Sequence, residues 1–320
     1  MLSRVADSLY WMSRYLERAE HACRLISVRI DALPEQIETQ VNRAFRRLLA
    51  ALHLPVPVVA DFSAQSLAER VTIAADNPSS IFVSIQKARD NARQVREQIS
   101  ADMWERLNRQ YLCLRALDFG EVWHSAPLEF YARAISDLHQ FQGAADSTMR
   151  HDEGWHFMRL GRFIERAQAL SRLLDVHFGQ MPRGVPVDLA GCDPSDWFAL
   201  LRATSAFEAY CKVRAADMKP EAIAAFLIFD PLFPRTARYC VDRIAEELGR
   251  LGVTADDKRY GRLSRLSGRL KAKLDFGLVE EVLEGRDEGY LEDVRQATER
   301  IHEAIYDAYI DCGADAGVAA

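Results

Sequence analysis

The chain has 320 residues, 49% of them apolar and 28% charged, and a formal net charge of −6. That is the composition of an ordinary globular protein long enough for a large core, and no apolar run reaches the roughly 20 residues that a membrane-spanning helix needs. The acidic balance gives no electrostatic footprint for nucleic acid and disfavours that partner.

The first element is a helix over 9–33. Leu9, Met12, Leu16, Ala19, Cys23, Ile26, Ile30 and Leu33 alternate spacings of three and four, the seam of a long packed helix. The opposite face, with Tyr10, Trp11, Arg14, Glu17, Arg18 and His21, continues into Leu25 and Val28. Apolar residues at both ends of that face imply a helix buried on two sides with charges enclosed between them, and enclosed charges must be paired or hold a ligand. Leu33-Pro34 stops it. A second helix follows over 35–52, a connection at Leu54-Pro55-Val56-Pro57, and a short helix over 66–74.

Asn77-Pro78-Ser79-Ser80 reads as a cap with proline at the first helical position, launching a helix to about 99 whose polar stripe carries Arg89, Arg93 and Arg96. Helices over 101–117 and 128–149 follow, then His151-Asp152-Glu153 as an interruption before a helix ending at Phe178. Residues 181–191 form the longest irregular stretch. Asp193-Pro194-Ser195-Asp196 caps a helix through about 213, Pro220 starts an apolar one, and Asp230 to Pro234 is a rigid turn before a helix over 236–251. Two last helices, 255–274 and 278–310, precede a mobile tail over 313–320. No strand alternation is found. The expected fold is all-α, a bundle-like array of about a dozen helices or fewer in one body over 1–312.

An internal duplication is expected within that body. Glu165-Arg166-Ala167 stands 148 residues after Glu17-Arg18-Ala19, and the seam recurs as Phe157, Leu160, Ile164, Ala167, Ser171, Leu174 and Phe178. Six of fifteen positions are identical between 12–26 and 160–174, where roughly one is expected by chance. The pseudo-repeats are set at about 1–148 and 149–312, related by a pseudo-twofold. Ala237, Arg238 and Ile244 are matched to Ala92, Arg93 and Ile99. His21 is replaced by Ala169 in the second copy, which disfavours a catalytic role for it.

The opening Ser8-Leu9-Tyr10-Trp11-Met12-Ser13-Arg14-Tyr15-Leu16-Glu17-Arg18-Ala19-Glu20 resembles that of the Alpha-E family, and Gly154-Trp155 with Leu160-Gly161-Arg162-Phe163-Ile164-Glu165-Arg166-Ala167 resembles its second signature. Ala88 to Arg93, Trp104 to Asn108 and Phe233-Pro234-Arg235 are similar to its other recurring segments. The resemblance implies a bacterial all-helical protein encoded beside a circularly permuted ATP-grasp protein and a transglutaminase-like protein, serving peptide or amide-bond chemistry. It brings no catalytic residues. His151-Asp152-Glu153 stands outside the family pattern.

Two readings of the Glu-Arg sites are open. They are interhelical ion pairs that fix helix register, or they hold an anionic ligand with Tyr10, Trp11, Arg14, Glu17, Arg18, Arg89, Arg93, Arg162, Glu165, Arg166, Arg235 and Arg238 as its surroundings. In the second reading Glu17 and Arg18 form the functional copy, because Tyr10-Trp11 offers a platform that Met158-Arg159 does not. Only six of the 41 basic residues are lysine, a bias toward bidentate guanidinium chemistry that a GC-rich genome would also produce. Glu121/His124, Glu153/His156 and Glu299/His302 have the Glu-x-x-His spacing of di-metal carboxylate bundles, although the first two lie near helix ends.

Six cysteines, at 23, 113, 192, 211, 240 and 312, show no Cys-x-x-Cys pair, so buried free thiols are expected rather than disulfides or a zinc site. No nucleophile motif or phosphate-binding glycine loop is present, and no cofactor is expected. The N-terminus lacks an apolar export segment, which sets the expectation of a cytoplasmic protein. The leading function is a partner or substrate-presenting subunit of the ATP-grasp system; a di-metal enzyme and a homo-oligomeric scaffold are the alternatives.

Overall fold

The computed structural model describes residues 2–35, 38–55, 63–178, 194–215, 217–251, 258–283 and 289–310. Among these residues there are fifteen α-helices and no strand. The irregular stretch over 181–191, the tail over 313–320, Val56-Pro57 of the expected connection, Asp193 of the expected cap and the cysteines at 192 and 312 lie outside the described residues.

The chain divides into two compact units, one of Ser8–Arg162 and one of Met1–Asp7 with Phe163–Ala320. The first unit contains most of α1 (Ser3–Ala32), then α2 (Glu38–Ala51), α3 (Ala64–Thr72), α4 (Ile81–Gln94), α5 (Ala101–Arg115), α6 (Phe119–Ser125), α7 (Pro127–Thr148) and the start of α8 (Glu153–Phe178). Within it α3 packs on α2 and α4, α4 on α5, and α5 and α6 on α7. The second unit contains the rest of α8, then α9 (Pro194–Ala203), α10 (Phe207–Arg214), α11 (Pro220–Phe229), α12 (Ala237–Leu251), α13 (Lys258–Phe276), α14 (Val279–Leu283) and α15 (Tyr290–Ile305), which runs into a π-helical turn over Tyr306–Ile310. There α11 packs on α12, α12 on α13, and α13 and α14 on α15.

Side-chain caps set the helix starts. Ser63, Ser80, Ser100 and Asp118 each accept the backbone N–H three residues on, opening α3 to α6. The Asn-Pro cap expected at Asn77 is instead a turn, in which Asn77 Oδ1 accepts from Ser79 N at 3.0 Å, and the helix waits for Ser80. Asp152 Oδ1 likewise accepts from Gly154 N at 3.1 Å, so the interruption at 151–153 serves as the entry to α8.

The expected count of about a dozen helices was too low, because the helices expected over 194–213 and 278–310 each appear as two and α6 lies between those expected over 101–117 and 128–149. The helix expected over 194–213 divides into α9 and α10 at Ser205, whose φ is 54°. His53, at the end of α2, has φ 56°. Both sit where a helix ends in a left-handed residue, a conformation glycine adopts without the Cβ penalty. His53→Gly and Ser205→Gly should therefore each stabilise the protein by about 1 kcal/mol, measured by urea unfolding; a loss in either would contradict this geometry.

Candidate functional site

The seam of α1 is core as its spacing requires, with Leu9, Met12, Leu16, Ala19, Cys23, Ile26 and Ile30 all buried. The opposite face is closed as well. Arg14 is 4% exposed and Glu17 1%, and the Arg14 guanidinium lies 4.7 Å from the Trp11 ring centroid and 5.7 Å from that of Tyr10. Tyr10 is fully buried, which overturns its expected role as half of an open aromatic platform. Trp11, half-buried, stacks on Tyr15 at 5.3 Å, and Arg18 and Lys87 both approach the Tyr15 ring, at 5.3 and 5.4 Å.

Three residues beyond Glu17 lies a second buried carboxylate of this helix. Glu20 has no exposed surface, and it binds Arg24 Nη2 at 2.5 Å, His139 Nε2 at 2.7 Å and Gln142 Nε2 at 3.0 Å. Gln142 in turn accepts from Arg162 Nη1 at 3.2 Å. Helices α1, α7 and α8 are thus linked through one carboxylate and one amide. Beside this network a cleft of about 20 Å³, room for one water or the tip of an anionic group, is lined by Ser13, Leu16, Gln142, Trp155, Arg159 and Arg162 among others. Arg159 lies 4.5 Å over the Trp155 ring, which also stacks on His151 at 3.9 Å. Burial pushes the thiol of Cys23, next to this network, up to about 12 against the pull of Arg24, so it stays protonated and is no nucleophile at neutral pH.

The Glu-Arg pairs at 17–18 and 165–166, buried apart from the half-buried Arg18, give the comparison with known proteins its meaning. A family model described as "Alpha-E: A predicted alpha-helical domain with a conserved ER motif" matches residues 1–310. The chain belongs to the Alpha-E family. It is similar to an uncharacterised protein of Mycobacterium bovis and to two of Mycobacterium tuberculosis, each 25% identical over 331 residues. Those matches cover 95% of this chain but 36% of each relative, so the chain spans about a third of their length. No solved structure matches it.

The remaining candidate residues of this Alpha-E chain are divided between the two units. Tyr10, Trp11, Arg14, Glu17, Arg18, Arg89, Arg93 and Arg162 belong to the first, and Glu165, Arg166, Arg235 and Arg238 to the second. Arg89 is engaged with α5, donating Nε to Asn108 at 2.8 Å and lying 4.5 Å from the Tyr111 ring centroid. Arg93 is exposed. In the second unit the buried Arg166 donates to the Pro234 carbonyl at 3.1 Å, tying α8 to the turn before α12. Arg238 bonds Asp275 at 3.0 Å, and Asp275 shares Lys271, at 3.1 Å, with Asp242. The hydrogen bond to Asp242, more than that to Asp275, raises the Lys271 pKa above its ordinary value. Arg238 is therefore part of a strut between α12 and α13.

The second unit also has a cross-helix contact, Gln168 Nε2 to Glu299 Oε2 at 2.5 Å, between α8 and α15. On α15 the hydrogen bonds from Arg295 and Gln296 hold the Glu292 carboxyl below its usual range, whereas burial and then Glu292 push Asp175 up. Glu121, His124, Glu153, His156, Glu299 and His302 do not converge: among the described residues no three His, Cys, Asp or Glu side chains are grouped as a metal ion would require. Cys23 and Cys240 are buried and Cys113 and Cys211 are not, and all four are free thiols. No helix among the described residues is long and apolar enough to cross a membrane.

Spacing alone did not single out Glu20, Arg24, His139 or Gln142. The Glu20 to Arg24 step of four residues was the one available signal.

Proposed function

We infer that this Alpha-E chain is a non-catalytic partner or substrate-presenting subunit of an ATP-grasp-associated peptide or amide-bond system. It receives an anionic group of its partner or substrate at the arginine-lined cleft of α1, α7 and α8. The observation that carries this reading is the cleft itself. Arg159 and Arg162 line it with one carboxylate, Asp146, which leaves its lining net positive, while the neighbouring carboxylate, Glu20, is already bound by Arg24, His139 and Gln142. A half-buried guanidinium pair favours a carboxylate or phosphate oxygen over water.

The same reading treats the chain as two copies of one seven-helix unit, the second carrying α10 as an additional helix. Its support is a burial register that repeats helix by helix. A shift of 148 residues carries the buried seam of α1 onto that of α8. A shift of 152 carries Phe45, Leu48, Leu49 and Ala51 of α2 onto Trp197, Leu200, Leu201 and Ala203 of α9, and it carries left-handed His53 onto left-handed Ser205. The closing bonds agree: Leu54 N to Leu49 O is 2.8 Å, and Ala206 N to Leu201 O is 2.7 Å.

A shift of 156 carries the buried residues of α3 and α4 onto α11 and α12, and the capping Ser80 onto Thr236, whose hydroxyl accepts Tyr239 N at 3.2 Å. This pairs Ala92 with Leu248, replacing the match of Ala92 to Ala237 expected from identities. A shift of 160 carries Met103, Leu107, Gln110 and Leu114 of α5 onto Leu263, Ser267, Leu270 and Leu274 of α13, and the six buried positions of α7 from Tyr131 to Ala145 onto Leu291 to Ile305 of α15. Glu20 and His139 then align with Gln168 and Glu299: one cross-helix contact, with its carboxylate moved from the first helix to the last.

The test is co-purification with the ATP-grasp protein encoded beside the chain, following ATP hydrolysis and amide formation. Arg162→Met, which loses its bond to Gln142, should weaken the effect of the chain on that partner at least tenfold, far more than its fall in Tm accounts for. Arg166→Met, which loses its bond to Pro234, should lower Tm and activity together. No co-elution and no effect of the wild-type chain would overturn the partner reading. Activity lost in both variants only in proportion to stability would overturn the anion site and leave the arginines as struts.

A further inference from the structure

A larger cavity lies elsewhere in the first unit, and nothing above gives it a role. It has a volume of about 360 Å³ between α5, α6 and α7, within the range of small-molecule sites. Its walls are apolar, from Leu114, Leu117, Val122 and Phe130. Its charged groups are Glu129, Arg133 and Asp137, successive turns of α7. Arg133 Nη2 lies 3.6 Å from Glu129, which leaves the carboxylate of Asp137 over and the mouth net negative. The exposed thiol of Cys113 completes the wall.

The second unit shows what fits such a place. At the positions 160 residues on, Cys113, Phe130 and Arg133 become Lys273, Tyr290 and Asp293. There the Lys273 ammonium lies 4.5 Å from the Tyr290 ring centroid and bonds Asp293 at 2.7 Å, while the Phe229 ring meets Tyr290 edge-on at 6.1 Å. The second unit thus supplies its own ring and its own ammonium. The first has the small Cys113 in place of the lysine and Arg133 in place of Asp293, while its carboxylates, Glu129 and Asp137, stand where the second has Gly289 and Ala297, and the space is open.

We propose that the cavity between α5, α6 and α7 binds a primary amine on an apolar or aromatic body, the ring against Phe130 and the ammonium at Asp137 and Glu129. The comparison with Lys273 rests on the proposed repeat, while the cavity and its charge balance stand without it. Binding here is independent of the arginine-lined cleft, so Arg162→Met should leave it unchanged, and the two ideas can fail separately.

The probe is phenethylamine, compared with 3-phenylpropionate and phenethyl alcohol on the full chain. Alkylation of Cys113 by iodoacetamide, followed by peptide mass spectrometry, reports occupancy. Saturating amine should slow it at least fivefold, and the acid and the alcohol should slow it less than twofold. Replacing Glu129 by Gln and Asp137 by Asn together, both at the mouth, should weaken amine binding three- to tenfold with the melting curve unchanged. Cys113→Lys, which restores the ammonium of the other unit, should weaken it more than tenfold by calorimetry. Equal protection by acid and amine, no protection by the amine, or full amine affinity in Cys113→Lys would each overturn the assignment.

Discussion

Gly161→Ala should be among the most damaging single-methyl additions in this protein, lowering stability by about 3 kcal/mol and Tm by roughly 6–9 °C. A Cβ at Gly161 would stand 2.2 Å from the Tyr10 carbonyl oxygen and 3.1 Å from its carbon. Those are backbone atoms in the interior of a helix of 30 residues, so no rotamer change relieves the overlap and α1 must move away from α8. Tyr10 itself is fully buried, so that movement disturbs the core behind it. Gly143→Ala is the control: it lies within α7, where an added Cβ meets nothing within 4 Å, and alanine should gain about 1 kcal/mol through helix propensity alone. Urea unfolding of both variants checks the pair. Wild-type stability in Gly161→Ala would mean that the two backbones do not approach as described.

The long helices were legible because their seams are long. Over the 30 residues of α1 and the 26 of α8, alternating spacings of three and four leave no other period, and burial follows them position by position. Breaks within helical stretches were not legible. A helix that ends in a left-handed residue announces itself by glycine or asparagine, and here histidine and serine stand at those places. The seven-residue α6 and five-residue α14 are too short to establish a period.

For the candidate site, enclosure was readable and partnership was not. Arg14 and Glu17 are buried as the two-sided pattern of α1 required. The groups that complete the Glu20 network come from 119 and 122 residues away, and no local pattern connects His139 or Gln142 to α1. Their neighbours Leu138 and Phe141 carry the periodic signal of α7, which says that the helix packs but not which polar group beside the seam meets a carboxylate. The expected ring platform failed for a related reason. Tyr10 and Trp11 are adjacent in sequence, but 100° apart around a helix one is core and the other reaches the surface.

Glu20→Ala should cost on the order of 3 to 5 kcal/mol, because it strands a guanidinium rather than because it removes a pair. Arg24 is 4% exposed and forms a salt bridge to Glu20, while its Nε and Nη1 make no hydrogen bond among the described residues. Without the carboxylate, a charged group stays where water cannot reach it. Arg24→Met should cost clearly less, since Glu20 keeps His139 and Gln142. The double variant Glu20→Met with Arg24→Met should recover most of the loss of Glu20→Ala, as a buried ion pair replaced by packed apolar groups of similar volume is often nearly neutral. Urea unfolding of Glu20→Met, Arg24→Met and the double variant, with Glu20→Ala beside them, gives the coupling directly. If the double variant is as unstable as the two single losses added together, Glu20 and Arg24 act independently, and the carboxylate is held for its link through Gln142 to Arg162 rather than for its neighbour on α1.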